Sequence, residues 1–269
     1  MKKKILTGIL LGTMLLFAVG CKKNEEKKSE KDVKEDVKQE TVTPETEAPE
    51  TVTPVESKVK VQDLYTIGSY EQDGNTENGA EALEWIVLEV KDNKALLISR
   101  YGLEAMAYNE TEEAMTWEQC SLRAWLNTEF WYNAFSEEER ERIEWTTVLN
   151  NSDANSGIDG GKDTEDFVFL LSVDEAKKYF GEDSVEENGR NYNLNRATKP
   201  TAYAATKPLT IITGDKEYAG CSPYWLRTPG VANHIAAIVD YNGDVYVFGH
   251  GVSEPKNMVR PAMWVEIGE

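Results

Sequence analysis

The sequence predicts an α+β domain behind an export signal. Three observations carry the fold class: strand-like hairpins toward both ends of residues 61–269, short amphipathic helices with capping boxes between them, and no glycine-rich phosphate fingerprint after any predicted strand. Strands and helices that segregate along the chain argue for α+β packing. The missing fingerprint argues against a doubly wound nucleotide fold.

The chain opens on "MKKK" and an apolar run from Ile5 to Val19. That run falls short of the roughly 20 apolar residues that span a bilayer, so residues 1–20 read as a secretory signal. The cysteine directly after "FAVG", Cys21, resembles the lipobox cysteine of bacterial lipoproteins, and that resemblance implies cleavage before Cys21 and its lipidation. From Lys22 to Glu40 seven lysines alternate with seven acids, and "TVTP" recurs at Thr41 and Thr51. So little apolar surface cannot offset the entropy of ordering, so residues 21–60 read as a lipidated cysteine followed by a charged, Thr/Pro-rich tether.

Residues 61–269 are long enough for one globular domain. "EWIVLEVKDNKALLISR" reads as two strands, Trp85–Val90 and Ala95–Ser99, joined at Asp92 and Asn93. Thr116 and Gln119 have capping-box spacing, and Leu122, Trp125 and Leu126 then share a helix face. Ser136 with Glu139 opens a second helix over "SEEERERIEW", and Ser172 with Glu175 a third over "VDEAKKYF". The segment "DFVFLLS" ahead of the third reads as a strand. "AAIVDYNGDVYVFG" predicts a hairpin turning at Asn242-Gly243. "VRPAMWVEI" predicts the last strand, with Pro261 placing its start at an edge or bulge.

The whole chain carries a net charge of −19, and residues 61–269 alone carry −20. A field of that sign repels phosphate backbones, and no basic patch interrupts it, which excludes nucleic acid as a partner. No zincin motif, nucleophile elbow or zinc-spaced cysteine pair is present. Asp153, Asp159 and Asp163 in "NNSDANSGIDGGKDTED" raise the question of a structural calcium, but the loop lacks EF-hand order. No cofactor and no metal site is expected. Cys120 and Cys221 are either a disulfide or two buried thiols. "YWLRTPG" and "MVRPAMW" each set an arginine beside proline and near tryptophan. Such an arginine is either a structural fork or a ligand anchor beside an aromatic platform.

The set "TWEQCSLRAWLNTEF", "FSEEERERI", "FLLSVDEA", "YWLRTPG", "AAIVDYNGDV" and "VRPAMWV" resembles an uncharacterised domain family of Gram-positive surface lipoproteins, over about Trp85 to Val265. Its closing pattern is similar to modules of the C-type lectin-like and formylglycine-generating superfamily. The resemblance implies a C-type lectin-like fold with short antiparallel strands, flanking helices and long irregular loops. It does not extend to the calcium-dependent sugar site, because Glu254–Lys256 reads "EPK" and no "WND" follows. Fold alone does not give function. The expectation is a lipoprotein held at the outer face of the cytoplasmic membrane by acylated Cys21, with a non-enzymatic domain that binds an extracellular glycan, wall component or protein. The expected ligand-binding residues are Tyr224, Trp225, Arg227, Asn233, His234, Asp240, Asn242 and Asp244; no residue is assigned as catalytic. The alternatives are a hydrolase using two carboxylates and a purely structural surface domain.

Overall fold

A computed structural model describes residues 58–154, 156–186 and 189–268, all within the compact unit Thr53–Glu269. The signal, Cys21 and almost all of the tether lie outside the described residues. No helix among the described residues is long and apolar enough to cross a membrane.

The first half begins with β1 (Leu64–Tyr70), β2 (Glu81–Lys91), β3 (Lys94–Ser99) and the short β4 (Glu104–Ala105). An irregular helix follows: α1 (Ser121–Trp125), a π-helical turn over Leu126–Phe130, and α2 (Trp131–Ala134). Then come α3 (Glu137–Arg142), β5 (Thr146–Val148), β6 (Thr164–Asp166) and α4 (Val173–Phe180). The second half holds β7 (Ser184–Val185), β8 (Asn191–Tyr192), β9 (Tyr224–Pro229), β10 (Ile235–Val239), β11 (Val245–Gly251), β12 (Met258–Val259) and β13 (Ala262–Glu266). Two sheets dominate, one ordered β1-β2-β3-β13 and one ordered β11-β10-β9-β12-β4. The architecture is mixed α+β, with short, mostly antiparallel strands and long loops.

The β2–β3 hairpin forms as read, with Leu83, Trp85 and Val87 buried at every second position. Asp92 and Asn93 both take positive φ, 50° and 60°, between the paired residues Lys91 and Lys94. That is the two-residue turn whose twist matches the strands. The Asn242-Gly243 hairpin turns differently. Of its turn residues only Gly243 has positive φ, and its N–H donates to the Asp240 carbonyl at 2.8 Å, so a longer turn closes on a glycine bulge.

Both capping boxes at Ser136/Glu139 and Ser172/Glu175 are present in full. The one read at Thr116 is not: Thr116 makes no side-chain cap and precedes only a 3-10 turn over Trp117–Gln119. The helix starts at Ser121 because other groups take its first donors. Asn109 Oδ1 accepts from Ser121 N at 3.1 Å, the Tyr108 carbonyl from Leu122 N at 3.2 Å, and Cys120 Sγ from Arg123 N at 3.4 Å.

"DFVFLLS" is extended but pairs as a strand only up to Asp166, with one further bridge between Phe169 and Ala262. Side chains satisfy its backbone instead. Asn127 Oδ1 accepts from Phe167 N and Val168 N at 2.7 and 3.1 Å, and Asn127 Nδ2 donates to the Val168 carbonyl at 2.8 Å. The C-terminal run splits at Arg260-Pro261: β12 belongs to the five-stranded sheet and β13 to the four-stranded one. Proline, which cannot donate to a ladder, sits at the crossing between sheets.

Candidate binding groove

The structure corrects the aromatic platform expected at the "YWLRTPG" box. Strand β9 is third of the five strands, and each of its residues is buried. Trp225 is 0 % exposed, its indole N–H donates to the Met106 carbonyl at 2.9 Å, and its ring is flanked by Tyr108 and His250. Tyr224 is equally enclosed, with its hydroxyl on the Arg196 carbonyl at 3.1 Å. Neither ring has a face to offer.

Arg227 is the structural fork. It donates to the Leu170 and Leu149 carbonyls at 2.7 and 3.1 Å and grips both Glu175 carboxylate oxygens. Its counterpart in the second box, Arg260, donates to the Ser99 and Arg196 carbonyls at 3.0 and 3.1 Å.

Asn233 and His234 are exposed. Asn242 is 2 % exposed and spends its amide on the turn, donating to the Asn191 carbonyl and accepting from Asp244 N. Asp240 accepts from Tyr241 N at 2.7 Å. Burial raises the Asp244 carboxyl above its ordinary range, and the nearby charges of Asp183 and Asp240 add to the effect.

Asp153, Asp159 and Asp163 do not come together. Each turns inward on its own loop, accepting from Ser156 N, Gly161 N and Asn150 N respectively. Among the described residues, the acidic set close enough to share an ion is instead Glu71, Asp73 and Glu81, whose oxygens already accept local backbone N–H groups. Cys120 and Cys221 are free, buried thiols. Burial pushes the Cys120 thiol up to about 12 and raises Cys221 as well, so neither supplies a thiolate nucleophile near neutral pH.

The concave aromatic surface lies elsewhere, in a groove of about 300 Å³ where three segments meet. The β2–β3 turn supplies Lys91, Asp92 and Lys94; β13 supplies Trp264; the stretch between α3 and β5 supplies Glu144, Trp145 and Thr146. The last stretch was read as the end of the second helix. In fact α3 stops at Arg142, and Ile143 bridges Val265 while Glu144 N donates to the Trp264 carbonyl at 2.9 Å. Laid along β13 in this way, Trp145 is brought to the groove and is 57 % exposed. Trp264 faces outward between the buried Met263 and Val265.

Lys91 and Lys94 stand directly opposite one another across the hairpin, a like-charge pair that costs stability. Glu144 offsets it by pairing with Lys94 at 2.8 Å, which holds the Lys94 ammonium above its ordinary range. The groove thus combines indole surface with ammonium, carboxylate and hydroxyl groups.

Sequence reasoning missed Trp145, although "IEWTTV" alternates with the period of a strand rather than a helix.

Fold and groove together define a mixed α+β domain with one indole-lined surface groove among its described residues. The chain belongs to the family described as a domain of unknown function (DUF6273), whose model matches residues 92–267. No curated protein and no solved structure matches it. The match begins within the β2–β3 turn, so β1 and all of β2 lie outside it and complete a sheet whose remaining strands lie inside the matched region.

Proposed function

We propose that this chain is a lipid-anchored, extracytoplasmic recognition module whose ligand is bound in the Trp145–Trp264 groove. The observation that carries the reading is Trp145 itself: a tryptophan more than half exposed, held by the sheet in a concavity beside a second indole and polar groups. Tryptophans buried at interfaces supply much of the binding energy, and an exposed one immediately before β5 is such an anchor. The C-type lectin-like reading of the fold is supported by the terminal strands β1 and β13, which share one sheet, and by the long loops between sheets.

The test is a screen of the unit from Thr53 to Glu269 against cell-wall fragments, oligosaccharides and peptides, with and without calcium. Trp145→Ala is expected to abolish the binding found and to lower the melting temperature by no more than about 5 °C, since the half-exposed ring gives up one aromatic contact worth about 0.5–1.5 kcal/mol. Binding that survives the substitution refutes the groove.

The anchor is supported by the lysine-led apolar run that ends at Cys21. Cells fed a clickable fatty acid are expected to label the wild-type chain and not Cys21→Ser. Equal labelling of both would remove Cys21 as the acylated residue.

A further inference from the structure

The aromatic surface continues beyond Trp145. The Trp145 ring meets Phe167 at 4.4 Å and 66°, Phe167 stacks on Trp131 at 4.3 Å and 14°, and Trp131 meets Tyr132 at 4.8 Å and 77°. The far end of this chain of rings, Tyr132, is 62 % exposed. The Arg140 guanidinium lies 5.3 Å from the Trp131 ring centroid and 5.1 Å from that of Tyr132, and it donates to the Phe135 carbonyl at 2.5 Å. Cation–π contacts from α3 therefore brace the strip and hold it rigid. Two strongly exposed rings on one continuous surface are more than the scattered apolar residues any protein shows.

We propose that groove and strip form one extended site for a linear, uncharged polysaccharide, with Trp145 as the central platform and Tyr132 as an outer one. The inference rests on the groove being the ligand site.

Charge favours an uncharged chain. Lys91 and Lys94 are balanced by Asp92 and Glu144 in the groove, while residues 61–269 carry −20, so a polyanion meets repulsion and no net positive strip. An extended peptide captured by strand addition needs a free sheet edge. Here the outer side of β13 is taken: Ile143 bridges Val265, Glu144 N donates to the Trp264 carbonyl, and Arg142 donates to the Glu266 carbonyl at 2.9 Å. What the site offers is exposed indole and phenol surface beside ammonium, carboxylate and hydroxyl groups. A pyranose ring, with apolar C–H faces and peripheral hydroxyls, fits that chemistry. The separation of the two platforms makes chain length the quantity to vary.

Full-length wild type, Trp145→Ala and Tyr132→Ala are titrated calorimetrically with neutral cello- and chito-oligosaccharides from di- to hexasaccharide. A lysine-rich peptide and a polyuronate serve as charged probes. Wild type is expected to bind the neutral series with affinity that rises with length. Tyr132→Ala should match wild type on the disaccharide yet bind the hexasaccharide about tenfold more weakly, a loss of one decade in Kd. Trp145→Ala should bind none of them. Affinity independent of length, or unchanged in Tyr132→Ala, overturns the outer platform. Trp145-dependent binding of the peptide or polyuronate without the neutral series overturns the polysaccharide and leaves the groove standing. Absence of Trp145-dependent binding to every probe overturns the polysaccharide and the groove together.

Discussion

Arg227→Ala is expected to destabilise the domain by about 3 kcal/mol, since removing one partner of a buried pair strands the other. For a domain of this size that lowers the melting temperature by on the order of 10 °C. The side chain is 3 % exposed, and it ties three otherwise separate segments together. Its donors reach the Leu149 carbonyl after β5, the Leu170 carbonyl in the extended run before α4, and Glu175 in the first turn of α4. Without the guanidinium both carbonyls lose a donor and the Glu175 carboxylate loses its counterion. The estimate sits at the low end because the Glu175 side chain is 30 % exposed and recovers some hydration. The groove at Trp145 does not include Arg227, so ligand affinity measured well below the melting temperature should change little. Calorimetric melting of mutant and wild type decides the point: an unchanged transition would mean that this fork holds nothing.

The same contacts show which parts of the molecule were legible in the sequence. The β2–β3 hairpin and the two acidic capping boxes are local: alternation, a two-residue turn, a serine three positions before a glutamate. Such signals need no knowledge of the rest of the chain, and the structure contains all of them. What sequence reading got wrong depends on distant partners. Thr116 looks like a cap, yet Tyr108 and Asn109 take the donors of the helix that follows. "DFVFLLS" looks like a strand, yet past Asp166 the Asn127 and Arg227 side chains share its backbone with single contacts to β9 and β13 instead of a continuous ladder.

The burial of Tyr224 and Trp225 was illegible for a related reason. Tryptophan beside arginine and a Pro-Gly turn is compatible with an exposed rim or a buried crossing, and only the position of β9 inside its sheet decides between them. Trp145 had the opposite history. It closes the charged run "SEEERERIEW" and so reads as the end of a helix, and only the pairing of Ile143 and Glu144 with β13 brings it to the surface groove.

Gly243→Ala is expected to cost roughly 3 kcal/mol or more, a penalty for placing an L-residue in the left-handed region added to one for overpacking. Gly243 has φ +81°, and a Cβ there would lie 1.8 Å from the Asn193 carbonyl oxygen and 3.1 Å from Ala197 N. Those neighbours are backbone, so no rotamer change relieves the clash. The hairpin turn is seated on the 191–197 segment: Asn193 N donates to the Asn242 carbonyl at 3.0 Å, and Arg196 Nη1 to the Gly243 carbonyl at 2.8 Å. Arg196 is 0 % exposed and also pairs with Asp183 at 2.7 Å, so lifting the turn would disturb a buried charge along with the strand register. If Asp240, Asn242 and Asp244 formed a ligand loop, an alanine at the tip would change binding as well as stability. If the turn is a structural seat, the melting temperature falls by on the order of 10 °C while the Trp145 groove retains its ligand at lower temperature. A melting curve and one binding isotherm on the same variant separate the two, because the seat predicts a large shift in the first and little in the second.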